Sequence, residues 1–363
     1  MTSLNLDHCQ LGPAQVWGSL RWIPLLRADP RHDLRLSQRP HGRHQVRSSY
    51  PQARYHSYMP QAMVVRWDAD GQALATESTH LGQHGTLAMG KLWKRQGPEQ
   101  LAFLPQSLAI EGFLVRHFQG PDVAWLDYQR EVRRGSLGYR AERSLPGWFL
   151  KGLEEALRRF EWSEHQVGCA LLLDEELIQV FLTPHPEDYA CLHESLLQDA
   201  YPEFLVHYGY LRYSPEPLQL NAALVHDWSS LCQAYTSALE QQRAYEQLRL
   251  DDLVGRLADL QTVYQLDDFR LARFVTSGDE RGGFAGETIY HSSGTLEYLK
   301  LFRLTRAQYR RYHLLSTLSQ HQWNFLEAAP QLKVQGKEGV ARCLVEADLG
   351  YLLNPGLYGH LLA

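Results

Sequence analysis

Apolar and polar positions follow two different periods along this 363-residue chain, and the change of period marks its organisation. From about residue 12 to 135, short runs at strand-like spacing dominate. AMVVRWDADGQALATES places two extended segments around Asp68-Ala69-Asp70-Gly71, a hairpin turn in which glycine supplies a positive φ. GTLAMGKLW and LAIEGFLVRHF repeat the spacing, which predicts a curved antiparallel sheet. Pro146 then opens a helix with Phe149, Leu150, Leu153, Leu157 and Phe160 on one stripe. VGCALLL and LIQVFLT follow as a hairpin apolar on both faces, and a helix from about Glu187 to Ala200 stops before Pro202. Helix, hairpin and helix make an αββα unit.

Past Ser214-Pro215-Glu216-Pro217, a corner or linker, the period lengthens. Leu224 to Leu248 reads as a long amphipathic helix, and Leu253 to Tyr264 as another. One more hairpin runs from Phe284 to Tyr290, turns at Ser292-Ser293-Gly294 and returns from Leu296 to Phe302; the last sixty residues go back to helix. The pattern predicts an α+β protein. A β-rich plus αββα domain covers residues 1–213, and a mainly helical domain over 218–363 carries the hairpin 284–302.

Composition alters this picture little. A hydrophobic fraction of 44% with 21% charged residues is that of a folded globular chain. No apolar run approaches the roughly 20 residues that span a bilayer, and MTSLNLDHCQLG has no secretory pattern, so no membrane partner and a cytoplasmic location are expected. Five widely spaced cysteines fit reduced thiols better than a disulfide framework.

Charge changes the picture more. The net charge is −5, yet residues 1–60 hold eight arginines, no lysine and three aspartates, a local excess of five positive charges. Arg27, Arg31, Arg35, Arg39, Arg43 and Arg47 recur every four residues, while Pro24, Pro30, Pro40 and Gly42 forbid one helix through them. In any extended piece, such as DLRLSQR, residues four apart share a face. A rim of guanidiniums at Arg21, Arg27, Arg35 and Arg39 would suit the oxygens of a pyrophosphate. The plainer reading has them pair with Asp29, Asp33 and acidic residues elsewhere.

LGPAQVWGSLRWIPLLR (11–27), DLRLSQR (33–39) and HQVGCALLLDEELIQVFLTPHPEDYACLHESLL running on to VHYG (206–209) resemble the bacterial ARPP family. That name stands for ADP-ribosylglycohydrolase and rhodanese-phosphatase-superfamily-associated protein. The resemblance covers roughly the first 210 residues. It implies a component of a system that handles ADP-ribose, NAD-derived nucleotides or modified RNA, in conflict or repair, and it implies no reaction.

The segment Asp279-Glu280-Arg281-Gly282-Gly283-Phe284-Ala285-Gly286-Glu287 is the second candidate. Its glycines would let backbone amides approach an anion, Phe284 would stack on a base, and Glu280 or Glu287 would serve as acid or base. It matches neither a Walker loop nor a dinucleotide fingerprint, and a glycine-rich entry to a hairpin explains it too. His41 with His44, and His80 with His84, lie in loops without a carboxylate or thiol cluster, so no metal and no cofactor are expected. Cys169 inside VGCALLL reads as core. Tyr309, Tyr312 and Leu315 read as a buried stripe with Arg306, Arg310 and Arg311 solvated, against a stacking platform for RNA. The expectation is an accessory protein that binds an ADP-ribose-like nucleotide. An enzyme acting on ADP-ribosylated or RNA substrates and an adaptor for a partner protein are the alternatives.

Overall fold

The computed structural model describes residues 2–6, 8–17, 20–36, 47–49, 52–55, 63–67, 73–77, 100–104, 114–115, 117–118, 145–146, 160, 163–173, 176–193, 196, 200, 220–254, 257–276, 283–304 and 306–362. The protein is α+β. Its centre is one antiparallel sheet assembled from both ends of the chain. The strands run Thr2–Ser3, Leu257–Leu266, Phe269–Thr276, Phe284–His291, Leu296–Arg303, Glu176–Leu182, Gln166–Leu173, Leu20–Leu26 and Gln10–Leu11. Gln15–Trp17 also pairs with Leu20–Leu26. Met63–Trp67 and Ala73–Glu77 form the expected hairpin in a smaller sheet, and Leu34–Leu36 runs parallel to Gln52–Tyr55.

Both apolar hairpins of the sequence form, because their strands bury both faces. Gln166–Leu173 is buried at every position, and so is Leu296–Arg303 up to its last residue. The helix expected from Leu253 to Tyr264 does not form; Leu257–Leu266 is a strand. Leu257, Leu260 and Val263 fall at helical spacing, but Asp267 at φ 48° and Asp268 turn the chain back onto Phe269–Thr276. Ladder pairing along that strand outweighs the local period. Likewise LAIEGFLVRHF is not strand at its end: residues 114–115 and 117 are helical, and Leu114, Val115 and Phe118 pack against the C-terminal helices. GTLAMGKLW and the helix of 149–159 lie outside the described residues.

Side-chain alternation divides the core between the two faces of the sheet. Tyr298, Phe181, Cys169, Leu171 and Trp22 join one cluster with Tyr189 and Leu192 of the helical residues 186–193. Further along that face, Phe302, Val275 and Ala285 meet the helices Arg306–Gln320, Phe325–Ala328 and Gly336–Glu346. Leu299, Leu301, Val180, Ala170 and Ile23 point the other way, towards Leu4 and Leu250. Between the first two clusters, Arg273, Glu287 and Lys300 stand in register across three strands. Gly286 permits that register: an added Cβ would overlap the Lys300 carbonyl and come within 2.7 Å of the Phe274 ring.

Arg311 is buried rather than solvated. Its Nε donates to the Ala347 carbonyl at 2.6 Å and its Nη2 to Asp348 at 2.8 Å, closing the end of the Gly336–Glu346 helix. Tyr312 and Leu315 do pack into the core, as their spacing suggested.

The helix Trp228–Val254 begins at Asp227, whose carboxylate accepts from the Ser230 backbone N–H at 2.7 Å while Ser230 Oγ accepts from the Asp227 N–H. Its far end is fastened to the body where Arg21 Nη1 donates to Glu246 at 3.3 Å and Leu250 is buried. At 100° per residue Trp228 and Tyr235 lie on the same stripe as Glu246 and Leu250, yet they are 78% and 50% exposed.

His193 tests this core. It sits between Trp22 and Tyr189, with ring centroids at 5.6 Å and 5.9 Å, and burial lowers its pKa to about 4. The unfolded chain takes up this proton near pH 6.5 and the folded chain only near 4. This group's contribution to stability is therefore fully present above about pH 6.5 and is lost progressively as pH falls towards 4, by an amount on the order of 2 kcal/mol after solvent screening. Urea denaturation at several pH values should show His193→Phe with a shallower pH slope than the parent; an equal slope would assign the loss to other groups.

Candidate functional site

Leu20–Leu26 is a buried strand followed by seven residues, Arg27 to Asp33, that leave the sheet and return as Leu34–Leu36. Arg27, at the end of the strand, is 5% exposed. Its Nη1 donates to Glu297 Oε2 at 2.7 Å, and Nη2 to the Leu296 carbonyl at 3.4 Å. Arg31, a turn later and partly exposed, donates from Nη1 to the other oxygen of Glu297 at 3.1 Å. Its opposite edge forks onto Asp33: Nε to Oδ1 at 2.6 Å and Nη2 to Oδ2 at 2.9 Å. The Arg31 backbone N–H is held by the Pro184 carbonyl at 2.9 Å, and its guanidinium lies 5.1 Å from the centre of the Phe269 ring.

These groups wall a cleft of about 610 Å³, completed by His8, Asp29, His32 and Thr295. Three carboxylates, two guanidiniums and two imidazoles line it together. Burial pushes Asp33 up, but the hydrogen bonds and charge of Arg31 outweigh it and hold the carboxyl below its usual range. Burial also pushes the Cys9 thiol up, against the neighbouring charge of Arg27.

The other described arginines of the proposed rim go elsewhere. Arg21 fastens the Trp228–Val254 helix through Glu246. Arg35 donates to Asp188 at 3.0 Å and to Glu187 at 2.8 Å, tying Leu34–Leu36 to the helical residues 186–193. Each described member from Arg21 to Arg35 therefore has a carboxylate partner, and of them Arg27 and Arg31 line the cleft. Arg39, Glu280 and Gly282 lie outside the described residues, as do His41, His44, His80 and His84.

Gly283 and Phe284 are not beside the cleft. Phe284 pairs with Arg303 at one end of the last hairpin, whereas Glu297 begins the strand at the other end, roughly 20 Å away at strand rise. Glu287 is fully buried in the middle of the sheet and accepts from the Tyr298 hydroxyl at 3.1 Å. Among the described residues no group of three or more His, Cys, Asp or Glu side chains is placed to hold a metal, and no helix is long and apolar enough to cross a membrane.

Glu297 is the residue that sequence reasoning missed. Its signal was present: LEYLKLF carries two charges in a strand apolar enough elsewhere to be buried on both faces, and a buried carboxylate there needs a cation. Arg31 appeared only as one step of the four-residue spacing.

A family model described as ARPP-2 matches residues 4–267, well over half of the chain. No curated protein and no solved structure matches it.

Glu297 carries the expected cost of breaking the site. Glu297→Gln leaves the buried Arg27 guanidinium without a countercharge and should lower unfolding free energy by about 3 kcal/mol in urea. Arg31→Gln, at a partly exposed position, should cost clearly less. Equal losses in the two variants would show that Glu297 is not the anchor.

Proposed function

The chain belongs to the ARPP-2 family, and on that premise we propose that it is an accessory, ligand-binding protein whose cleft receives a phosphorylated, nucleotide-like ligand of the ADP-ribose class. The observation that carries this reading is the cleft itself, which sets guanidinium and imidazole donors beside carboxylate acceptors. Phosphate oxygens take donors, from Arg31, His8 and His32. Ribose hydroxyls give protons to acceptors, and Asp29 and Thr295 supply them. A ligand bearing both phosphate and sugar uses both halves of such a lining; a bare hydrocarbon would use neither. The ADP-ribose class, and a place in a bacterial conflict or repair system of the cytoplasm, come from what the family resemblance implies. Glu287 and residues 283–286 play structural parts in this reading, since they lie in the sheet and at the end of it away from the cleft.

A thermal-shift series with ADP-ribose, NAD, AMP and ribose 5-phosphate tests it. A ligand present at about a hundredfold over its Kd should raise the midpoint by about 3 °C. The rise should shrink in Arg31→Gln. An unmoved midpoint with all four compounds counts against the reading.

One observation favours a second reading, a protein–protein adaptor. The stripe that is buried at Leu250 runs on uncovered through Tyr235 and Trp228. An adaptor would lose its partner in Trp228→Glu while keeping the parent's midpoint and its response to nucleotides. A partner retained by that variant in co-purification removes this helix from the contact.

A further inference from the structure

Arg31 presents two edges, and they are held very differently. Its Nη1 edge meets Glu297, a carboxylate 2% exposed that is also bound to the buried Arg27. That contact is part of the interior. The Nε/Nη2 edge meets Asp33, two residues on and 53% exposed at its side chain. Both oxygens of Asp33 engage parallel N–H groups at 2.6 Å and 2.9 Å. This two-point fork is the geometry in which a guanidinium takes a phosphate. The Asp33 carboxylate thus stands where two phosphate oxygens would stand, on a residue that forms part of the cleft wall.

Resting on the reading of the cleft as a phosphate-binding site, we propose that Asp33 is a built-in competitor: it occupies the exchangeable edge of Arg31, and an incoming phosphate binds by displacing it. Three features fit this role. Asp33 is close in sequence to Arg31, so its release needs only a rearrangement of the short bend before Leu34–Leu36. An exposed carboxylate regains water when it leaves, so the pair is weak enough to exchange. Arg31 does not swing away with it, because its backbone N–H on Pro184, its Nη1 on Glu297 and its place over Phe269 hold the guanidinium fixed. The competitor also sets a threshold for the ligand. A monoanionic carboxylate offers no more than Asp33 already gives, whereas a phosphate brings a third oxygen and greater charge into a cleft also lined by His8 and His32.

Isothermal titration of the parent, Asp33→Asn and Asp33→Ser with inorganic pyrophosphate and, separately, acetate decides the matter. Removal of the competitor should tighten pyrophosphate binding by about fivefold or more in both variants. Acetate should bind the variants and not the parent. Thermal midpoints near the parent's would confirm that both variants are folded, as the exposure of Asp33 leads one to expect. Equal pyrophosphate affinity in parent and variants would overturn the competitor role while leaving the cleft as a phosphate site. Weaker binding in the variants would make Asp33 a positioning residue instead and would also overturn it. No binding by any of the three proteins would overturn this inference and the functional reading together.

Discussion

The carboxylate of Glu297 is the constraint on which the rest of the structure leans. One of its oxygens holds the guanidinium of Arg27 at the end of Leu20–Leu26, and the other holds that of Arg31 four residues later. The two arginines come from the first tenth of the chain, and the glutamate from the last fifth. Burying the charges of Arg27 and Glu297 has a large desolvation cost, which is offset only where each finds an opposite neighbour and further hydrogen bonds. Here the Leu296 and Pro184 carbonyls supply those extra acceptors for Arg27. The triad therefore fixes where residues 27–33 leave the sheet, and with that the position of the cleft.

The same logic recurs at smaller scale. Arg21 reaches one helix through Glu246, Arg35 reaches another through Asp188, and Arg311 holds the end of a third. In each case an arginine crosses between elements that the backbone leaves unconnected. Long stems and planar forks make this residue suited to that use, since the stem packs against apolar neighbours while the head finds its acceptors. The sheet supplies the framework, and these cross-ties set how the helices sit upon it.

Fold and site were legible to different depths. Hairpins at 166–182 and 284–303 could be read because a strand buried on both faces is written as an unbroken apolar run bounded by turn residues. Leu257–Leu266 could not, since Leu257, Leu260 and Val263 satisfy a helical period and only pairing with Phe269–Thr276 decides the matter. The arginine spacing misled for a related reason. A four-residue interval places side chains together only within one regular element. Arg27 lies at the exit of one strand, Arg31 in the connection and Arg35 in another strand, so the interval has no common geometry. What survived was the local positive charge. What stayed hidden was the distant glutamate that uses it.

The order of strands ties the matched region to the rest of this chain. The matched region closes at residue 267, inside the turn that follows Leu257–Leu266. Yet three strands from beyond that point lie between Leu257–Leu266 and Glu176–Leu182. A polypeptide ending at the turn would keep both flanks of this sheet and lose its middle, exposing two unsatisfied ladders of amides and carbonyls. It would lack Glu297 as well. Residues 4–267 thus do not complete this sheet by themselves, because its middle strands come from beyond them.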